Sequence, residues 1–247
     1  MSLFEKVLCI SDLHLNADQP DIADAFSTFL QNTAINADAL FILGDFFNVW
    51  IGDDDPSAFA AQVKAELKAL ADTGVAVFIM HGNRDFLLGE DFCTQCGATL
   101  IHEPYTLRVG ETEYLLVHGD ALCTRDADYM AFRAMVRNAD WQADFLSKPL
   151  EERQAYASRA REQSKAMSSN KAEDIMDVTP EEVSRLLQEM DQSILVHGHT
   201  HRPAEHDLDI LGKPGKRIVL GDWHTLGWML DITPQGYTLG DFPIPEI

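Results

Sequence analysis

The chain has 247 residues, of which 46% are hydrophobic and 24% charged. Nineteen Lys and Arg against 40 Asp and Glu leave a formal net charge of −21; this argues against a nucleic-acid partner, because affinity for a polyphosphate backbone rests on basic contacts. The apolar share excludes a disordered acidic chain, and no apolar run reaches the ~18–20 residues that span a bilayer.

The opening segment MSLFEKVLCISDLHL lacks the basic start and small-residue cleavage site of a signal peptide and reads as a strand. The cysteines, Cys9, Cys93, Cys96 and Cys123, suit a reducing cytosol. Cys93 and Cys96 form a lone C-x-x-C with no second pair to complete a zinc site.

Strands are predicted at 6–10, 39–43 and 75–80, each a short apolar run. Helices are predicted between and after them, at 20–33, 57–72 and 86–96, two opened by Pro20 and Pro56 and two closed by Gly74 and Gly97. Such alternation means a layered α/β core. Residues 106–119 read as a hairpin, so the later sheet is expected to be mixed. From Thr124 to Pro180 strand signals vanish, and 127–138, 141–147, 150–171 and 181–190 read as helices. Strands return at 193–197, 217–221, 227–232 and 237–242. The division expected is a core of residues 1–123 and 186–247, interrupted by a helical insertion, 124–185, packed over it.

Five strands end alike. The tips are Ser11-Asp12-Leu13-His14, Gly44-Asp45-Phe46-Phe47-Asn48, His81-Gly82-Asn83-Arg84-Asp85, His118-Gly119-Asp120 and His197-Gly198-His199-Thr200-His201. Ligand sites in α/β sheets lie at the carboxyl ends of strands, so the tips should converge. Carboxylate, carboxamide oxygen and imidazole together suit hard and borderline divalent ions. A pair of ions with a shared anionic ligand can act on both sides of a displacement at phosphorus.

The ordered set D-x-H, G-D-x-x-N, G-N-x-D, H-G-D and G-H-x-H, spanning residues 12 to 201, resembles the calcineurin-like metallophosphoesterases. The resemblance implies two mixed β-sheets flanked by helices. It implies Asp12, His14 and His201 on one metal ion, Asp45 bridging, and Asn83, His118 and His199 on a second. His81 and His197 stand just outside the matching positions and are left out of the ligand set. Many members have His where this chain has Arg84, and often Asp where it has Asn48. An arginine cannot protonate a leaving alkoxide near neutral pH, but it can neutralise a leaving phosphate bidentately. Arg84 therefore favours cleavage of a P–O–P bond.

The stretches LGDFFNVWIGDDDP, HGNRDFLLG, HGDALCTRD, HGHTHRP, IMDVTP and VLGDWH resemble the branch of that family that hydrolyses a UDP-linked diacylated glucosamine in lipid A biosynthesis. This implies two Mn2+ ions, peripheral contact with the bacterial inner membrane, Arg84, Asp45 and His199 in the chemistry, and substrate contacts from Asn83, Arg84, Asp126, Ser164, Ser168, Lys171 and His199. The role of Asp222 in GDWH is left open.

Between Arg125 and Arg185 lie ten Lys and Arg against twelve Asp and Glu, leaving nine against twenty-eight elsewhere. The acidity belongs to the core. At ~100° per residue, Arg153, Arg161, Ser164, Ser168 and Lys171 share one quadrant of the 150–171 helix, a face that could hold phosphate or sugar hydroxyls. Tyr129, Met130, Phe132, Met135, Val136, Trp141, Phe145 and Leu146 cluster before that helix, either as core packing or as the lining of an acyl groove.

Overall fold

Strands that are apolar on both faces need cover on both sides, and that requirement sets the layering. In the computed structural model, which describes residues 4–168 and 177–245, β1 (Val7–Ile10) and β2 (Ala39–Leu43) are buried at every position. They run parallel with β3 (Ala76–Met80) and β4 (Ala98–Ile101). On the far side of β1, the antiparallel strands β10 (Leu226–Thr233) and β11 (Gly236–Pro243) complete a six-stranded sheet, ordered β11-β10-β1-β2-β3-β4. The second sheet is ordered β5-β6-β7-β9-β8, from β5 (Tyr105–Val109), β6 (Thr112–Leu116), β7 (Ile194–His197), β8 (Ala204–Ile210) and β9 (Lys213–Val219). Both sheets are mixed, as expected.

Alternate side chains divide the apolar surface. Val7, Cys9, Phe41 and Leu43 meet Leu107, Tyr114, Leu116, Val196 and Ile218 between the sheets. Leu8, Ile10, Leu40, Ile42, Val77 and Ile79 face outward, under α1 (Pro20–Asn32), α2 (Ala58–Asp72) and α3 (Glu90–Cys96). The second sheet is covered by α7 (Pro180–Glu189), whose Val183 and Leu187 pack on Leu115, Leu195 and Ile210. The boundary expected at residue 185 thus falls inside a helix that packs as one piece. Between β6 and α7 run α4 (Ala127–Val136), α5 (Ala139–Leu146) and α6 (Leu150–Ser168).

Two strands went unread in the sequence. β4 has four residues directly after Gly97, which sits at φ 72° as the left-handed cap of α3. β8, AEHDLDI, is an edge strand whose charged residues alternate to solvent, and β9 starts earlier than its apolar part. The helix expected from residue 86 starts only at Glu90, because Asp53 accepts from Gly89 N and Phe92 N and holds the helix start there. All four cysteines are buried free thiols, as a structural role requires.

Phe41 has no exposed surface and stacks on Phe78 with ring centroids 4.4 Å apart. Phe41→Ala is expected to cost about 3–5 kcal/mol of stability. Leu211→Ala, at a site 83% exposed, should stay within about 0.5 kcal/mol. Urea denaturation of the three proteins checks both.

Candidate metal centre

The strand tips bond to one another rather than to solvent. Asp12 N donates to Gly44 O (3.1 Å), His14 N to Asp45 O (2.9 Å) and Gly198 N to His118 O (3.0 Å). The approach is so close that a Cβ on Gly82 would strike Asp45, and one on Gly198 would strike Asp12 and Ser11. Asp12, His14, Asp45, His199 and His201 all hold φ between 48° and 66°. That left-handed region costs an ordinary residue ~1–2 kcal/mol, and such strain gathers at functional sites.

Strain and close approach bring the donor atoms together. Asp12, His14 and His201 form one group and Asp45, His118 and His199 another, each with ligand atoms within 4.8 Å of one another. Asn83 joins the second, its Oδ1 lying 3.0 Å from His118 Nε2 and 2.9 Å from His199 Nδ1. Asp45 stands between the groups, with Oδ1 3.6 Å from His118 Nε2 and Oδ2 3.9 Å from His14 Nδ1. His201 Nε2 faces Asp12 Oδ1 at 3.4 Å and His14 Nε2 at 3.2 Å. Every residue expected as a ligand is therefore drawn to one place.

Electrostatics leave two of the imidazoles ready to bind a cation. Burial pushes the His14 imidazole down to about 3 and that of His199 to about 4, so both are neutral at pH 7 with a lone pair to offer. Burial raises the Asp45 carboxyl to about 7, even against the charge of His118. Burial opposes a charged His118, yet Asp45, Asp12 and Asp120 together raise it to about 9. Burial also acts against the Asp12 carboxylate, but the nearby imidazole of His201 and the charge of His118 hold it below the usual range. Asp12 Oδ1 and His14 Nδ1 are buried without a hydrogen-bond partner. Donor atoms of oxygen and imidazole nitrogen, crowded at 3–4 Å with orphans among them, fit a divalent cation.

A supporting set was missed by sequence reasoning, although its acids stand in the quoted motifs. Buried Asp85 accepts from Phe46 N (2.7 Å), Phe47 N (3.3 Å) and Gly82 N (2.7 Å), tying the second tip to the third. Ser11 Oγ donates to Asp12 Oδ2 at 2.6 Å, and His199 N donates to the same oxygen at 2.8 Å. His118 Nδ1 donates to Leu43 O at 2.9 Å, which turns Nε2 toward the site. Buried Asp120 accepts from Tyr129 Oη (2.6 Å) and Arg133 Nε (2.8 Å), anchoring α4 beneath His199. Asp222, left open above, lies 3.5 Å from His201 Nδ1, on the side away from Asp12. His81 and His197 bond to the carbonyls of Leu88 and Gly198 instead.

Beside the ligands opens a cavity of about 550 Å3. Arg84 lines it, with its backbone N bonded to Asp45 Oδ1 at 2.8 Å and its Nε buried without a partner. Asn83 and Asp126 also line it, and Asp126 caps α4 by accepting from Tyr129 N. Phe86, Leu87, Tyr129, Phe132, Trp141 and Phe145 supply apolar wall. The apolar cluster before α6 thus divides: Val136 is buried as core, whereas Met135 both lines the cavity and stays 43% exposed. Ser164 and Ser168 lie on α6, but their side chains fall outside the described residues, as does Lys171 altogether. The shared phosphate-facing quadrant fails at Arg153, which is 2% exposed and turned into the protein, bonded to Asp54 and to the carbonyls of Ile51 and Lys148.

Residues 5–203 match the model of the calcineurin-like phosphoesterases. The chain belongs to that family. A protein of Cellvibrio japonicus (strain Ueda107) named UDP-2,3-diacylglucosamine hydrolase is 52% identical over 97% of this chain and 100% of its own length. A protein of the same name from Pseudomonas aeruginosa (strain PAO1) is 49% identical over the same shares, and one from Marinobacter nauticus is 50% identical over 91% and 92%. Membership in the calcineurin-like phosphoesterases implies a divalent metal centre, and the two groups described are the candidates to hold it.

Gly198→Ala is expected to displace Asp12 and weaken binding of a divalent ion at least ~10-fold. Gly240→Ala, whose Cβ meets nothing, should leave binding unchanged. Calorimetric titration of the metal-free proteins with Mn2+ is the measurement.

Proposed function

We propose that this chain hydrolyses the pyrophosphate bond of UDP-2,3-diacylglucosamine, giving 2,3-diacylglucosamine 1-phosphate and UMP in lipid A biosynthesis. The observation that carries the reading is the cavity of about 550 Å3, largely apolar along its walls, that ends on Asn83 and Arg84 beside the ligand groups. A soluble nucleotide substrate has no use for such walls. An acyl-bearing one does, because each CH2 taken out of water contributes about 0.8 kcal/mol. The names of the relatives that match nearly end to end agree with it.

Asp12, His14 and His201 would hold one manganese ion and Asn83, His118 and His199 a second, with Asp45 shared between them. When bound, such ions neutralise phosphate charge and activate water for attack. The bond that forms joins a water oxygen to the α-phosphorus. The bond that breaks joins that phosphorus to the oxygen of the sugar phosphate, which departs as an anion and needs no proton at neutral pH. Arg84 supplies what this leaving group requires: its backbone is fixed on Asp45, and its guanidinium offers fixed charge-assisted donors where negative charge grows. Asp126, Ser164, Ser168 and Lys171 join Asn83, Arg84 and His199 in holding the substrate.

The helical insertion before α7 acts as a cap over the core, and α4, α5 and α6 carry its cavity-lining residues. Among the described residues no helix is long and apolar enough to cross a membrane. Val49, Met135 and Leu146 are exposed apolar residues in or next to the elements that bound the cavity, and we assign them to peripheral contact with the cytoplasmic face of the inner membrane.

Asp45→Ala and His199→Ala are expected to abolish manganese-dependent release of UMP. Arg84→Ala should lower kcat by roughly 100-fold or more, as loss of an electrostatic stabiliser does, with metal content kept. UMP release and bound manganese are measured together. Brisk hydrolysis of a soluble diester with no UMP from the lipid substrate would overturn the reading.

A further inference from the structure

α6 lacks the apolar stripe that would fix it to a core. Its sequence, LEERQAYASRAREQSKAMS, is polar nearly all round. Yet Tyr156, Ala157, Ala160 and Arg161 on this helix line the cavity that holds Arg84. Something other than a continuous apolar face must set where that wall stands.

Arg153 does so. The side chain is buried and makes four hydrogen bonds: Nε donates to Lys148 O at 3.0 Å, Nη1 to Ile51 O at 2.7 Å and Asp54 Oδ1 at 2.8 Å, and Nη2 to Asp54 Oδ2. The loop it grips is shaped for it. Gly52 holds φ 137°, and a Cβ there would collide with Arg153 Nη1. The same loop is fastened at two further points. Trp50 N donates to Arg84 O at 3.1 Å. Asp53 accepts from Trp50 Nε1 at 2.9 Å and from the amides of Gly89 and Phe92 at the start of α3. Residues 50–54 therefore join the backbone of Arg84, the start of α3 and the base of α6 in one rigid corner.

We infer that Arg153 and Asp54 are a positioning pair that sets the α6 wall of the cavity against Arg84, and with it the affinity for the apolar part of the substrate, without touching the reacting atoms. The inference rests on the reading that the cavity takes the acyl chains. Removing either partner does more than delete a contact. A buried guanidinium without its carboxylate, or a loop without its guanidinium, leaves polar groups unsatisfied in the interior.

The test compares Arg153→Ala, Arg153→Lys and Asp54→Asn with the unaltered manganese enzyme in three measurements. For UDP-2,3-diacylglucosamine, KM should rise about 10-fold or more in each variant with kcat kept within about twofold, the signature of lost binding shared by ground and transition states. Arg153→Lys should not rescue, because one ammonium cannot bridge a carboxylate and a carbonyl bidentately. Hydrolysis of bis(p-nitrophenyl) phosphate, which carries no acyl chain, should stay within about twofold. Amides of α6 should exchange with deuterium at least ~10-fold faster. Unchanged exchange overturns the inference, as does faster exchange with unchanged KM, or an equal fall in hydrolysis of both substrates. If Arg153→Ala fails to fold by circular dichroism, Asp54→Asn, altered at a side chain 63% exposed, carries the comparison. If the unaltered enzyme releases no UMP, the substrate reading fails, and the exchange measurement still decides whether the pair fixes α6.

Discussion

Two buried carboxylates, Asp12 and Asp45, lie against backbone that leaves no room for a side chain, and the site follows from that contact. Gly82 and Gly198 bring the third and fifth strand tips onto them. The strands themselves cannot provide this closeness, because neighbouring strands stand ≈ 4.7–4.9 Å apart. The chain gains it by turning sharply at the first, second and fifth tips, with Asp12, His14, Asp45, His199 and His201 in the left-handed region. Asp85, Ser11 and the amide of His199 hold the turned tips in place. A rigid apolar sandwich beneath, filled by residues such as Phe41 and Tyr114, absorbs the strain that the tips carry.

The charge of the molecule acquires its meaning at this place. A chain at −21 repels phosphate in bulk. A divalent cation held among these residues would invert the local field at the site, and Arg84 adds a positive charge on the cavity side. Burial has already set His14 and His199 neutral, so these candidate ligands need shed no proton to bind.

The cap works by different physics. The core is fixed by apolar area, whereas α6 depends on one guanidinium, a glycine loop and a few contacts such as Tyr156 against Phe145. Such a helix can present polar residues toward a substrate along much of its length. Its position is correspondingly sensitive to single residues far from the metal ligands. α4 is tied more directly, since Tyr129 and Arg133 both bond to Asp120 below the site.

The sequence by itself determined the layered α/β class, most elements to within a few residues, and the residues that gather at the strand tips. Apolar runs ending in Asp, Asn, His and Gly are local signals, and both strand burial and turn chemistry act locally. Only the tertiary structure decided which acids support and which face the site: Asp85 and Asp12 look alike in sequence, and their neighbours across the strand tips separate them. It likewise separated Val136 from Met135, because helical period gives a face but not what lies opposite. Arg153 makes the point most sharply. Its helical register with Arg161 is read from spacing alone, while its burial follows from Asp54, 99 residues earlier, a contact that no periodicity encodes.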